Sequence, residues 1–228
     1  MYLVLNLKVY KESYGESLDR MVQAVADFKE PQGVDIIIAP PTAELSRIRS
    51  RFVRLKVYAQ TVDPNDLGSF TGSTPLASVQ ACGLDGFIIN HSESKKKIAD
   101  IEAVIALAKS KGMDHVVCVA DIEELKKVLV FKPKMVAIEP PELIGSGISV
   151  STAKPDIVIK AVEATKRISP ATSLLVGAGI SNELDVRRSI ELGAQGVLLA
   201  SAFVKAPDHK KKLEELIRGF KVPSRQAL

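Results

Sequence analysis

Eight short runs of aliphatic residues recur along the chain, and they scarcely alternate with polar residues. They are YLVLN (2–6), VDIIIAP (34–40), LKVYAQ (55–60), DGFIIN (85–90), DHVVCVA (114–120), KMVAIE (134–139), TSLLVGAG (172–179) and QGVLLAS (195–201). A strand with one wet face alternates apolar and polar residues. A strand buried on both faces reads as a continuous apolar run, which points to a parallel sheet covered by helices. The segments between the runs have helical spacing. IADIEAVIALAKSKG (98–112) repeats apolar residues at i, i+3, i+4 and i+7 and closes on Gly112. PDIVIKAVEATKRI (155–168) opens on a proline, whose missing N–H costs nothing in a first turn. NELDVRRSIELG (182–193) has an Asn cap and a closing Gly.

Strand–helix alternation repeated about eight times is the pattern of a closed (β/α)8 barrel, with an open doubly wound sheet as the alternative. No Gly-x-Gly-x-x-Gly follows the first run, which leaves the dinucleotide-binding version of the open sheet unsupported. The 228 residues suit one large domain or two small ones. With no linker, low-complexity tract or charge block, a single barrel over 1–228 is expected. It is short for its class, so some connections must be trimmed.

Composition narrows the function classes. No run approaches the ~20 apolar residues of a membrane span. MYLVLNLKVYKE reads as a first strand, since it lacks the basic lead and small-residue cleavage site of a signal peptide. Cys82 and Cys118 stand in no metal or redox spacing, which is the usage of a cytoplasmic protein with reduced thiols. The net charge of +4 comes from scattered lysines. The densest groups, Lys95–Lys97 and Lys210–Lys212, have acidic neighbours and no interleaved aromatics, so no nucleic-acid partner is expected.

In a barrel of this kind the residues that follow each strand gather on one face, and that face holds the chemistry. The filter retains Asn6-Leu7-Lys8, Pro40-Pro41, Gln60, Asn90 with His91, Ser92 and Glu93, Asp121, Glu139, Gly177–Gly179 and Ala200–Ser201. Asn6 and Lys8 are two apart, so in extended chain both face one side; the same pair would also serve as a polar strand end in water. His91 is expected at a helix start, where the dipole disfavours imidazolium and leaves a neutral donor; a structural histidine is the alternative. His115 opens its strand at the opposite end and His209 opens the last helix, which leaves His91 as the one histidine placed for catalysis. Glu139 ends the sixth run and is a general-base candidate. Behind it Pro140-Pro141 make a stiff entrance, Leu143-Ile144 an apolar tip and Gly145-Ser146-Gly147 a permissive exit, as a lid would be built. Gly179 and Ser181 after the seventh run and Ala200-Ser201 after the eighth are small enough for backbone N–H groups to reach a phosphate.

Together, N-L-K after the first run, H-S-E after the fourth and E-P-P-E-L-I-G-S-G after the sixth resemble triosephosphate isomerase, and Q-T-V-D…G-S-F-T-G (60–72) is similar to the family's third loop. The order agrees over essentially the whole chain, and the short length resembles the compact archaeal branch. The resemblance implies Glu139 as the base that moves a proton between carbons and His91 as the neutral electrophile. It implies Lys8 and Asn6 as oxyanion partners, with Glu93 positioning the lysine. Ile144 and Gly145 would cover the phosphate, and Gly179, Ser181, Ala200 and Ser201 would complete its cradle. This acid–base pairing and lid closure are both characteristic of the family. A glycolytic and gluconeogenic isomerase without cofactor or metal is implied, acting on a triose phosphate. It would assemble as a homodimer through the loop 62–73, with Phe70 buried in the partner and Thr71 in contact, a tetramer being the higher assembly open to compact relatives. Three positions depart from the family pattern: Pro140-Pro141-Glu142 where Pro-Val-Trp is common, Asn90 where a glycine is common, and Ala200-Ser201 in place of a glycine pair. A Schiff-base aldolase on this fold would need a lysine inside the mouth, and Lys134 opens the sixth run at the other end. A metal-dependent epimerase would need a ligand cluster. A phosphate-binding regulatory barrel would have no use for Glu139 beside a lid.

Overall fold

The computed structural model describes residues 1–29, 31–143 and 149–221. The eight strands are β1 (Tyr2–Asn6), β2 (Asp35–Ala39), β3 (Lys56–Ala59), β4 (Gly86–Ile89), β5 (Asp114–Val119), β6 (Met135–Ile138), β7 (Ser173–Val176) and β8 (Gly196–Leu199). They close in sequence order, all parallel, with β8 paired back onto β1 through Tyr2–Gly196 to Leu5–Leu199. The expected barrel is therefore the fold, and the open sheet is excluded. Each strand falls inside its apolar run and is mostly one or two residues shorter, because the run's last residues leave the ladder to build the face above it.

The continuous apolar runs follow from burial on both sides of the barrel wall. Leu3 and Leu5 pack outward under the helices, while Val4 between them packs inward. Val4, Ile37, Tyr58, Ile88, Val116, Met135, Leu175 and Leu198 fill the interior, with the smaller Ala39, Cys118 and Ala137 near the C-terminal strand ends. Those small residues leave room for a polar side chain above them.

The helices are α1 (Gly15–Ala26), α2 (Leu45–Arg51), α3 (Leu76–Ala81), α4 (Ile98–Ser110), α5 (Ile122–Leu129), α6 (Val150–Ala153), α7 (Pro155–Ile168), α8 (Glu183–Glu191), α9 (Ser201–Val204) and α10 (His209–Arg218). The three read from spacing are in place. α7 starts on Pro155, Asn182 caps α8 through Asp185 N, and Gly112 and Gly193 follow α4 and α8 at positive φ. The trimming expected of a short barrel shows in α3 and α2, of six and seven residues. No described helix is long and apolar enough to cross a membrane.

Two loops at the mouth can be compared with the sequence reading. The loop 62–73 is held by its own chain at its base. Asp63 N donates to Thr74 O and Thr74 N to the Asp63 carboxylate, the Ser73 hydroxyl donates to Asp63 and Asn65, and Lys96 pairs with Asp63 at 2.6 Å. Only the tip is bare, with Leu67 at 67% and Phe70 at 53% exposure. Leu143, read as half of a free apolar lid tip, is instead buried in the outer core on a 3-10 turn, Pro141–Leu143. Ile144, Gly145 and Gly147 lie outside the described residues.

Candidate active site

At the C-terminal mouth a cavity of about 360 Å³ is lined by Lys8, Tyr10, His91, Glu139, Gly177–Ser181, Leu198–Ala202 and Lys205. It brings together residues that are 8, 91, 139, 177–181 and 200–201 in sequence. Asn6 lies beneath Lys8 and reaches it by a hydrogen bond, its Oδ1 accepting from Lys8 N at 3.0 Å.

Glu139 is one residue past β6, and its backbone extends the ladder by donating to Val119 O at 2.8 Å. Its side chain turns into the barrel mouth and is only 2% exposed. Neither carboxylate oxygen has a hydrogen-bond partner among the described residues. Burial pushes its pKa up to about 7, against a smaller opposing pull from the Cys118 thiol beneath it and the Lys8 charge. A carboxylate with free lone pairs and a pKa near neutrality is suited to take a proton from carbon and give it back.

Gly177 makes that placement sterically feasible. A Cβ there would lie 2.4 Å from Glu139 Cγ and 2.6 Å from its Oε1. The sequence places Gly177 at the mouth, but its role toward Glu139 crosses between two strands and has no signature along the chain.

His91 Nε2 stands 3.7 Å from Glu139 Oε2, too far for a hydrogen bond. Its Nδ1 accepts from Glu93 N at 3.2 Å. In the neutral ring the proton then sits on Nε2, on the side of Glu139. The pKa of His91 is held down at about 4, first by burial and next by the Lys8 charge, against an opposing pull from Glu93. The neutral donor is thus present, but the helix-start reason for it is not. His91 opens a turn closed by Ser94 N donating to His91 O, and α4 begins only at Ile98. The residue before it explains the departure at position 90: Asn90 has φ +63°, a region that asparagine tolerates. Its amide donates to Cys118 O at 2.7 Å and to Glu124 Oε1 at 2.9 Å, and its Oδ1 accepts from Lys96 N. Lys95, in turn, pairs with Glu124.

Lys8 does not reach the mouth as part of an extended strand. β1 ends at Asn6, and Lys8 sits at φ +47°, a strained position for a lysine. Its carbonyl accepts from Gln60 Nε2, which also donates to Ala39 O at 2.8 Å, and its Nζ pairs with Glu93 at 2.8 Å. The remaining histidines are structural. His115 stacks on Phe87 and accepts from Lys134 N through Nε2, and His209 packs edge-on against Phe203. Lys134 pairs with Asp114 at the opposite end of the barrel.

Gly179, Ser181, Ala200 and Ser201 all line the cavity. Gly179 has φ +73°, which favours glycine. The Ser181 donors are engaged, N–H at 2.9 Å and hydroxyl at 2.8 Å, by the same Asp185 oxygen. A phosphate contact through Ser181 therefore requires exchange with Asp185. Among the described residues no group of three His, Cys, Asp or Glu side chains could hold a metal ion.

A family model described as triosephosphate isomerase matches residues 1–219. The chain belongs to the triosephosphate isomerase family. Among its relatives, the triosephosphate isomerase of Methanothermus fervidus is 45% identical over 215 residues, covering 94% of this chain and 96% of the relative. That of Methanocaldococcus jannaschii is 41% identical over 218 residues, 96% and 99% of the two chains. That of Caldivirga maquilingensis is 41% identical over 216 residues, 95% and 96%. These archaeal triosephosphate isomerases agree with the compact archaeal branch that the short length resembles.

Proposed function

We propose that this enzyme interconverts glyceraldehyde 3-phosphate and dihydroxyacetone phosphate by proton transfer through an enediolate. The observation that carries the reading is the pairing across the cavity of a partnerless buried Glu139, with its pKa near 7, and a neutral His91 whose Nε2–H faces it at 3.7 Å. Glu139 takes the proton from the carbon beside the carbonyl. His91 donates a hydrogen bond to the oxygen as negative charge develops there, and the Lys8 ammonium stabilises the same charge. Glu139 then returns the proton to the neighbouring carbon. Asn6 and Glu93 position Lys8. The wall of Gly179, Ala200 and Ser201 takes the phosphate through backbone donors, joined by Ser181 once it exchanges its bonds with Asp185, with Ile144 and Gly145 covering it as in the family.

We assign the working assembly as a two-fold dimer. The support is the bare tip of the 62–73 loop, where Phe70 and Leu67 present apolar surface above a base tied down by Asp63. An isologous contact would bury Phe70 in the partner beside Asn6 and Lys8, with Thr71 next to it.

A coupled assay with glyceraldehyde 3-phosphate tests the function. Turnover many orders above the uncatalysed rate is expected. A regulatory phosphate-binding barrel would bind the compound and leave it unchanged, and that result would end the reading.

A further inference from the structure

Five titratable side chains line the cavity: Lys8, Tyr10, His91, Glu139 and Lys205. For a dianionic substrate their charges matter as a set. Lys8 is paired with Glu93 at 2.8 Å, so its charge is largely balanced. His91 is neutral and Glu139 brings negative charge. Lys95, just outside, is balanced by Glu124. A further cation with no carboxylate partner would add to what Lys8 and the backbone donors offer a phosphate dianion.

Lys205 is that cation. It is exposed, and among the described residues it has no carboxylate partner. Its ammonium instead lies over the ring of Tyr10, 4.8 Å from the centroid. A ring face holds a cation by its quadrupole and leaves its full charge in place, whereas a carboxylate would cancel it. Lys205 N donates to Ser201 O at 2.9 Å, so the lysine follows the phosphate wall by one turn of chain. Residues at that spacing have Cβ atoms ~5–6 Å apart, and a lysine's four-carbon stem with rotatable donors spans such a gap.

We propose that Lys205 is a substrate-binding residue, seated on Tyr10 and able to turn to the phosphate at the Ser201 side of the cavity, where it recognises an alkyl phosphate dianion and draws it in. It would act on capture and affinity and leave the proton transfers at Glu139 and His91 alone. The identity of the substrate rests on the function proposed above; the charge logic requires only a phosphate.

The test compares wild type, Lys205→Gln and Lys205→Arg. For Lys205→Gln, KM for glyceraldehyde 3-phosphate should rise roughly tenfold with kcat within about threefold, and kcat/KM should lose most of its fall with added salt, as steering by an unpaired charge requires. Lys205→Arg should restore the salt dependence. In parallel, inorganic phosphate binding is titrated by 31P NMR and should weaken about tenfold in Lys205→Gln. If wild type fails to isomerise the triose phosphate, the proposed function falls, and the Lys205 inference is then read from phosphate binding alone. Phosphate affinity within twofold of wild type in Lys205→Gln would overturn it.

Discussion

Gly177→Ala isolates the geometric support of the base. Gly177 lies outside the left-handed region, so an added methyl brings no backbone strain of its own. It brings a collision. The new Cβ would lie 2.4 Å from Glu139 Cγ and 2.6 Å from Oε1, against ordinary carbon contacts of ~3.5–4.0 Å. Either the carboxylate or the β7 loop must yield by about 1 Å. Misplacement of a reacting group by that distance costs ~10²-fold in rate, so kcat should fall about a hundredfold. Overpacking of this kind destabilises by roughly 1–3 kcal/mol, readable in a denaturant titration. The pH profile separates this from a general loss of fold. Glu139 owes its pKa of about 7 to burial. A carboxylate displaced toward water returns toward its ordinary ~4.3, and the acid limb of kcat/KM should move down with it. A Gly177→Ala enzyme with wild-type kcat and an unmoved acid limb would show that Glu139 is not held where the structure puts it.

Three further outcomes follow from the same geometry. His91, with its pKa near 4, should give no imidazolium signal by NMR from about pH 5 to 8; because the unfolded ring takes its proton at ~6.5, its contribution to stability is complete above 6.5 and lost as pH falls toward 4, and a titration at 6–7 would refute the neutral donor. Glu139 has the opposite sign. Its folded pKa is raised from 4.5 to about 7, so the ionised form costs roughly 3 kcal/mol of stability above pH 7 and nothing below 4.5; Glu139→Gln should raise Tm at pH 8 and leave it almost unchanged at pH 4, and equal shifts at both would argue against a buried carboxylate. Phe70→Asp should shift the protein toward monomer in sedimentation and lower kcat with it, and a fully active wild-type monomer at low concentration would contradict the dimer.

The barrel was legible in the chain because burial on both faces forbids alternation, so each strand announced itself as an unbroken aliphatic run. Helix limits were legible where a proline, an asparagine cap or a closing glycine marks them, as at Pro155, Asn182 and Gly193. The residues of the candidate site could be read as a set because every barrel strand delivers its last residues to one face. What could not be read were contacts made through space. The room Gly177 leaves for Glu139, the clamp of Gln60 on Lys8, and the tie from Asn90 to Cys118 and Glu124 join strands far apart in sequence. Backbone conformation was also hidden. Lys8 enters through a left-handed turn and not along an extended strand, and His91 owes its neutrality to burial and the Lys8 charge and not to a helix. Leu143 shows the same limit: the sequence pattern does not separate an apolar lid tip from an apolar anchor, and the structure buries it in the outer core.

The central claim is that the Glu139 carboxylate moves the proton. Glu139→Gln keeps the side chain's size and place and removes only its basicity, so the coupled assay with glyceraldehyde 3-phosphate reads the claim directly. The account predicts a fall in kcat of at least ~10³, at or near the range of general-base catalysis, with the fold intact. Turnover within tenfold of wild type would contradict it and pass the role of base to another group at the mouth.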